Sequence, residues 1–200
     1  MVFSLKYKEN KLIGEYSERL YKELEEFFNI HFKYEKPKVF VVEDRETVNQ
    51  ILGYDTPEWV VGWAERKSVF VLDRAAFVKS ISDEEYLKAI KHEMIHSYFY
   101  IASNNCEYPE WLFEGTALYL SGLNKIRPET FKNFLNYYDT KDEGIYKESG
   151  FAVEFLIKYY GKVKFLELIR GLKYIASKEK FTLFFKEVYG FELKYENFRV

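Results

Sequence analysis

An intrachain disulfide is closed to this chain: its 200 residues hold one cysteine, Cys106, so no internal bridge can staple it. There is no apolar run of the roughly 20 residues that a membrane-spanning helix needs. The amino-terminal Met1-Val2-Phe3-Ser4-Leu5-Lys6-Tyr7-Lys8 lacks the uninterrupted apolar stretch of a secretory leader. Together these absences lead to the expectation of a soluble, cytoplasmic protein. Proline is scarce, with four residues, and no Pro/Ser/Gly-rich linker, repeat or low-complexity tract divides the chain. One compact unit is expected. Charge of one sign is lacking too, since 30 Lys/Arg face 32 Asp/Glu, which removes any overall pull toward nucleic acid. Residues 151–200 carry ten Lys/Arg against six Asp/Glu, but these alternate with apolar residues at helical spacing and read as a solvated helix face.

What is abundant is aromatic carbon: 18 Tyr and 19 Phe, enough for a thick core and available to line a groove for peptide side chains. Histidine is rare, which makes its placement informative. Two of the three histidines lie in Lys91-His92-Glu93-Met94-Ile95-His96, four residues apart. On a helix, positions i and i+4 share a face one turn apart, so both imidazoles can converge on one metal ion. Glu93 sits about 100° round the helix from His92, too far to be an equal ligand but within reach of a water in an open coordination position. It is the candidate general base. A third ligand is available in Pro109-Glu110-Trp111-Leu112-Phe113-Glu114-Gly115-Thr116-Ala117, where Glu114 follows His96 by 18 positions. Two imidazoles and one carboxylate around Zn²⁺ leave one position open, as a catalytic rather than a structural zinc requires.

His92-Glu93-x-x-His96 followed by Trp111-Leu112-x-Glu114-Gly115-x-Ala117 resembles the gluzincin metallopeptidases, in particular their compact peptidase-MA-like members. The resemblance covers residues 84–122, with a weaker echo from Tyr146-x-x-Ser149 to Tyr160-Gly161, and only general layout over residues 1–80. It implies that His92, His96 and Glu114 bind one zinc, that Glu93 activates water, and that peptides or unfolded proteins are the substrates. It also implies a zincin-like α+β fold: an N-terminal α/β sublobe (1–108) with a hairpin and the active-site helix, then a helical sublobe (109–200). Family members often place a Tyr or His on the helical lobe to stabilise the oxyanion. Tyr146 is the first candidate for that task, with Tyr137 and Tyr138 next. Thermolysin-like members carry an acidic residue four places after the ligand glutamate to orient a histidine, and Leu118 stands there instead. Another group must then hold the histidine tautomer.

Taken in order, Leu20, Leu24, Phe27, Phe28 and His31 recur at helical spacing and predict an amphipathic helix over 15–32, ended by Lys36-Pro37. His31 would lie in its last turn, where an imidazole complements the helix dipole, with oxyanion donation as the alternative. Val39–Val42 reads as a strand, and Arg45–Leu52 as a short helix closed by Gly53. Trp59–Ala64 and Ser68–Leu72, separated by Glu65-Arg66-Lys67, read as a hairpin. By the same resemblance residues 68–73 are the rim strand to which substrate backbone adds, a plain buried hairpin being the alternative. Ser82 with Glu85 is a capping box opening a helix through His96 to about Ile101, buried along Leu87, Ile90, Met94, Tyr98 and Ile101. Asn104–Pro109 turns the chain back, and 110–120 is the second ligand helix, where small Gly115 and Ala117 permit close approach of the two. Helices are expected over 128–138, 145–160, 162–176 and 179–189. Cys106 lies between the two motif segments, as a metal ligand, a zinc-blocking thiol or a plain half-buried side chain.

Two functions of different class follow. The first is a zinc peptidase; the second is a non-catalytic, zinc-stabilised peptide-binding or chaperone-like module. Retention of Glu93 favours the first, because a structural metal needs ligands and no base.

Overall fold

Helix α1 (Lys11–Phe28) turns Ile13, Leu20, Tyr21, Leu24 and Phe28 inward, the stripe expected of a surface helix over a core. It stops at Phe28 because Asn29 takes a left-handed φ of 50° and the Ile30 N–H closes back on the Glu25 carbonyl. His31 therefore lies beyond the helix and exposed, so its expected place in the last turn is corrected. The computed structural model describes residues 11–32, 35–140 and 142–199. Among these, no helix is long and apolar enough to cross a membrane.

Strand β1 (Lys38–Val42) leads into α2 (Arg45–Leu52), whose N-cap Asp44 accepts from the Thr47 N–H at 2.7 Å and whose end is fixed by Gly53 at φ 82°. β2 (Gly62–Ala64) and β3 (Ser68–Leu72) form the expected hairpin, paired Gly62 with Val71, Trp63 with Phe70 and Ala64 with Val69. β1 returns parallel to β3 on its other side, giving the order β1-β3-β2. Residues 68–72 are thus the central strand, with Val69 and Val71 wholly buried, and cannot be the open rim. That edge belongs to β2. Stacked rings of Trp63, Phe70 and Phe40 (centroids 4.5 and 5.1 Å) hold the short β2 in register from the outer face.

The capping box is present at α3 (Asp83–Ser103): Ser82 Oγ accepts from the Glu85 N–H at 3.2 Å, and Glu85 Oε2 accepts from the Ser82 N–H at 2.9 Å. Its centre departs from the one-stripe expectation. Every residue from His92 to Phe99 is buried, more than two full turns, because the sheet, α1, and the two helices that follow surround it. Tyr86 is buried where Leu87 was expected, and Leu87 and Ile101 are only half-buried. α4 (Glu110–Ser121) ends at Gly122, φ 73°; α5 (Ser149–Gly171) breaks direction at Gly161 (φ 86°, ψ 156°); and α6 (Lys178–Tyr189) ends at Gly190. One core runs unbroken from Leu20 to Phe198, drawing on both sides of residue 108. The chain is α+β.

The helix expected over 128–138 is absent apart from one 3-10 turn at Phe134–Asn136. Its backbone groups are taken by tertiary partners. The buried Glu148 Oε2 accepts the N–H groups of Lys132, Asn133 and Phe134 at 3.0, 2.8 and 3.1 Å. The carbonyls of Tyr138 and Tyr137 accept the Glu110 and Trp111 N–H groups, each at 2.9 Å. Those two donors open α4, whose N-cap Pro109 supplies no side-chain acceptor, so the irregular segment caps the helix that carries Glu114. The helix expected from 145 begins at Ser149, and Tyr146 sits before it on a 3-10 turn, Glu143–Lys147. Gly115 does permit a close approach, but to α5 and not to α3. A Cβ there would lie 2.5 Å from the Ser149 carbonyl oxygen and 2.7 Å from its carbon.

Candidate metal centre

Burial of the centre of α3 on all sides leaves its polar residues to find partners on neighbouring elements. His92, Glu93 and His96 are buried there, and the two imidazoles face Glu114 of α4, which is buried too. His92 Nε2 and His96 Nε2 are 3.1 Å apart, and Glu114 Oε2 lies 3.3 and 3.5 Å from them. Phe113, the residue before Glu114, stacks on the His96 ring with centroids 4.0 Å apart and planes 20° from parallel. This role of Phe113 is marked in the sequence only by its adjacency to Glu114. Ser97 Oγ donates to the Arg66 carbonyl at 2.7 Å, pinning the hairpin turn to α3 one residue past His96.

Three donors bonded to one zinc at about 2.05 Å and tetrahedral angles stand roughly 3.3 Å from each other. The observed triangle has those sides, and among the described residues these three are the group able to hold a metal. Glu114 Oε2 and His92 Nδ1 are buried with no hydrogen bond of acceptable geometry to a described residue. An oxygen so placed fits a ligand better than a plain acceptor. The charges agree. Burial opposes protonation of His92, yet the close Glu114 oxygen and the charges of Glu93 and Glu114 hold its pKa above the ordinary value. Burial likewise works against ionised Glu114, but the charge of His96 and the nearness of both imidazoles hold its carboxyl far below the carboxylate range. The group could hold a metal ion.

Glu93 approaches the strand edge because position 62 has no side chain. A Cβ on Gly62 would meet Glu93 Cγ at 2.7 Å and the Phe70 carbonyl oxygen at 2.8 Å. This glycine had not been singled out from sequence, since nothing local marks it. Pairing of Val61 with Leu72, Trp63 with Phe70 and Glu65 with Ser68 turns the main-chain groups of Gly62 and Ala64 away from β3. Among the described residues β2 pairs with β3 alone, so no strand takes up this edge beside Glu93. Gly62→Ala is expected to lower any activity that depends on Glu93 at least tenfold while leaving metal content unchanged, since one methyl displaces the carboxylate or the strand. Metal analysis beside rate measurement checks this.

Burial, followed by the charges of Glu114, Glu93 and Glu110, pushes the Tyr146 hydroxyl well above its ordinary pKa, keeping it protonated next to the centre. The Tyr137 hydroxyl is instead engaged by Asp142 and packed under Gly144, and Tyr138 stacks on Tyr108. His31 stands outside the site. Cys106 is half-buried, outside the ligand triangle, with its thiol 3.5 Å from the Tyr108 carbonyl and pushed up by burial, so it remains a thiol. No known protein family, curated protein or solved structure matches the chain.

Proposed function

We propose that the chain is a zinc-dependent peptidase of the gluzincin type on a zincin-like frame. The observation that carries this reading is the buried triangle of His92 Nε2, His96 Nε2 and Glu114 Oε2, with sides of 3.1, 3.3 and 3.5 Å. These three residues would hold the ion, and two imidazoles with one carboxylate suit Zn²⁺. When bound, zinc supplies a polarised scissile carbonyl and a water acidic enough to attack near neutral pH. Glu93, set against Gly62, takes the proton of the attacking water and later delivers it to the leaving amine. Tyr146, kept protonated by burial and nearby carboxylates, donates to the oxyanion, a contribution on the order of 3 kcal/mol.

Among the described residues no strand pairs with the outward main-chain groups of Gly62 and Ala64, and they offer an extended peptide antiparallel pairing that reads backbone and not side chains. Peptides and unfolded proteins are therefore the proposed substrates, with neither nucleic acid nor membrane as partner. The single half-buried thiol suits a reducing compartment, and a cytoplasmic location belongs to the same proposal. A zinc-stabilised module without catalysis would need the three ligands but not a second buried carboxylate, Glu93, at a strand edge. The test is digestion of a mixed peptide pool with zinc supplied and then chelated. Cleavage that appears with zinc and stops with chelator is expected; an intact pool in both arms sinks the proposal.

A further inference from the structure

One guanidinium organises the loop before β2. Arg45, at the start of α2, donates through Nη1 to Thr56 Oγ1 (3.0 Å), the Pro57 carbonyl (3.2 Å) and the Val60 carbonyl, and through Nη2 to the Glu58 carbonyl (3.1 Å). One turn on, Asn49 accepts from the Thr56 N–H (2.9 Å) and hydroxyl (2.7 Å) and donates to Asp55 (3.1 Å). Residues 55–60 are thereby strapped to α2. Held in this strap, Trp59 remains 42% exposed, its indole edge-on to the Tyr146 ring with centroids 6.0 Å apart. A residue anchored in the sheet half of the chain thus reaches the tyrosine that feels the charges of Glu114 and Glu93. Three positions later, at most about 10 Å along the backbone, Gly62 abuts Glu93. So many polar bonds to one helix make the loop a fixed surface and not a lid.

We infer that Trp59, fixed by Arg45 and backed by Tyr146, is the wall of a subsite for a large apolar side chain of an extended peptide lying along Gly62–Ala64. The occupant follows from three features together. An indole left partly bare gains from apolar cover; side chains of a bound strand repeat on one face about every 6.8 Å, within the reach from Gly62 to Trp59; and the edge itself binds backbone only. The inference rests on the peptidase reading for its substrate. Arg45 is a positioning residue, acting through Trp59. Its planar fork serves four acceptors, which the single ammonium of lysine cannot reproduce.

The experiment uses the whole, zinc-loaded chain carrying Glu93→Gln, so that bound peptide is not cut. Calorimetry compares a decapeptide of Ala, Ser and Gly containing one Phe with its twin bearing Ala at that position. The Phe peptide is expected to bind about tenfold tighter, a typical gain from burying such a ring. Trp59→Ala brings the two within about twofold, whereas Trp59→Phe retains most of the preference. Arg45→Ala also erases it and opens the loop to chymotrypsin between residues 54 and 60, and Arg45→Lys restores neither property. An unchanged preference in Trp59→Ala, no preference in the starting chain, or a loop still protected in Arg45→Ala overturns the inference. Hydrolysis by the chain with native Glu93 is scored separately. A preference that depends on Trp59 in a chain that cuts nothing keeps the wall and removes the peptidase, while cutting with no such preference does the reverse.

Discussion

His92→Ala, His96→Ala and Glu114→Ala are each expected to lower zinc affinity at least a hundredfold, and all three variants to lose the zinc-dependent thermal stabilisation expected of the native chain. Structural zinc sites contribute roughly 10–16 kcal/mol over their ligands, so removing one of three costs roughly 3 kcal/mol or more. At free zinc near a hundred times the dissociation constant, the native chain gains about 2.7 kcal/mol, worth about 5–10 °C for a chain of this size. Calorimetric titration and melting with and without chelator measure both. Equal zinc affinity in native and His92→Ala protein would remove the centre.

The same centre has an acid–base signature of opposite sign with and without metal. In the metal-free chain the pKa of His92 is raised above 6.5, so its contribution to stability is full below that value and fades as pH climbs through the folded one. The pKa of Glu114 is lowered from 4.5, so its contribution is present above that value and is lost only in stronger acid. Metal-free stability from this pair is greatest between about pH 4.5 and 6.5. Zinc needs both imidazoles unprotonated, so its stabilising increment grows with pH. From pH 6 to 8 the melting temperature without zinc should fall while the zinc increment rises; two parallel curves would contradict the coupling.

Glu93→Gln is expected to keep zinc at the native level and to lose peptide hydrolysis by about 10²–10⁴-fold, the span of a missing general base. Glutamine has nearly the shape of glutamate, so it fits the space left by Gly62 without moving the strand. The loss then reports proton transfer and not packing. A variant with native rate and native zinc would show the carboxylate to be idle and would favour the non-catalytic module.

Local rules made α3 and α4 legible. Ser82 and Glu85 announce α3, Gly53, Gly122 and Gly190 announce three helix ends, and four-residue spacing places His92 over His96. These features act within one or two turns of chain. The misreadings share another origin. Lys132–Phe134 give their N–H groups to Glu148, 14–16 positions away, and Tyr137 and Tyr138 give their carbonyls to α4, so a helical pattern there is overridden by partners distant in sequence. Nothing near residue 68 reveals that β1 will take the second side of β3 and leave β2 as the edge. His31 was misplaced by the left-handed Asn29, a single residue that ends α1 one turn early.

The chain's own order of residues determined which side chains are available to hold a cation and how two of them are spaced, because a helix is set by bonds between near neighbours. Whether a carboxylate 18 positions on arrives within 3.5 Å of both imidazoles was decided by packing alone. So too was the glycine that admits Glu93 to the strand edge, and the tryptophan strapped against Tyr146. Contacts of that kind join segments whose separation along the chain carries no periodic signal, so they exist only once the core has closed around α3.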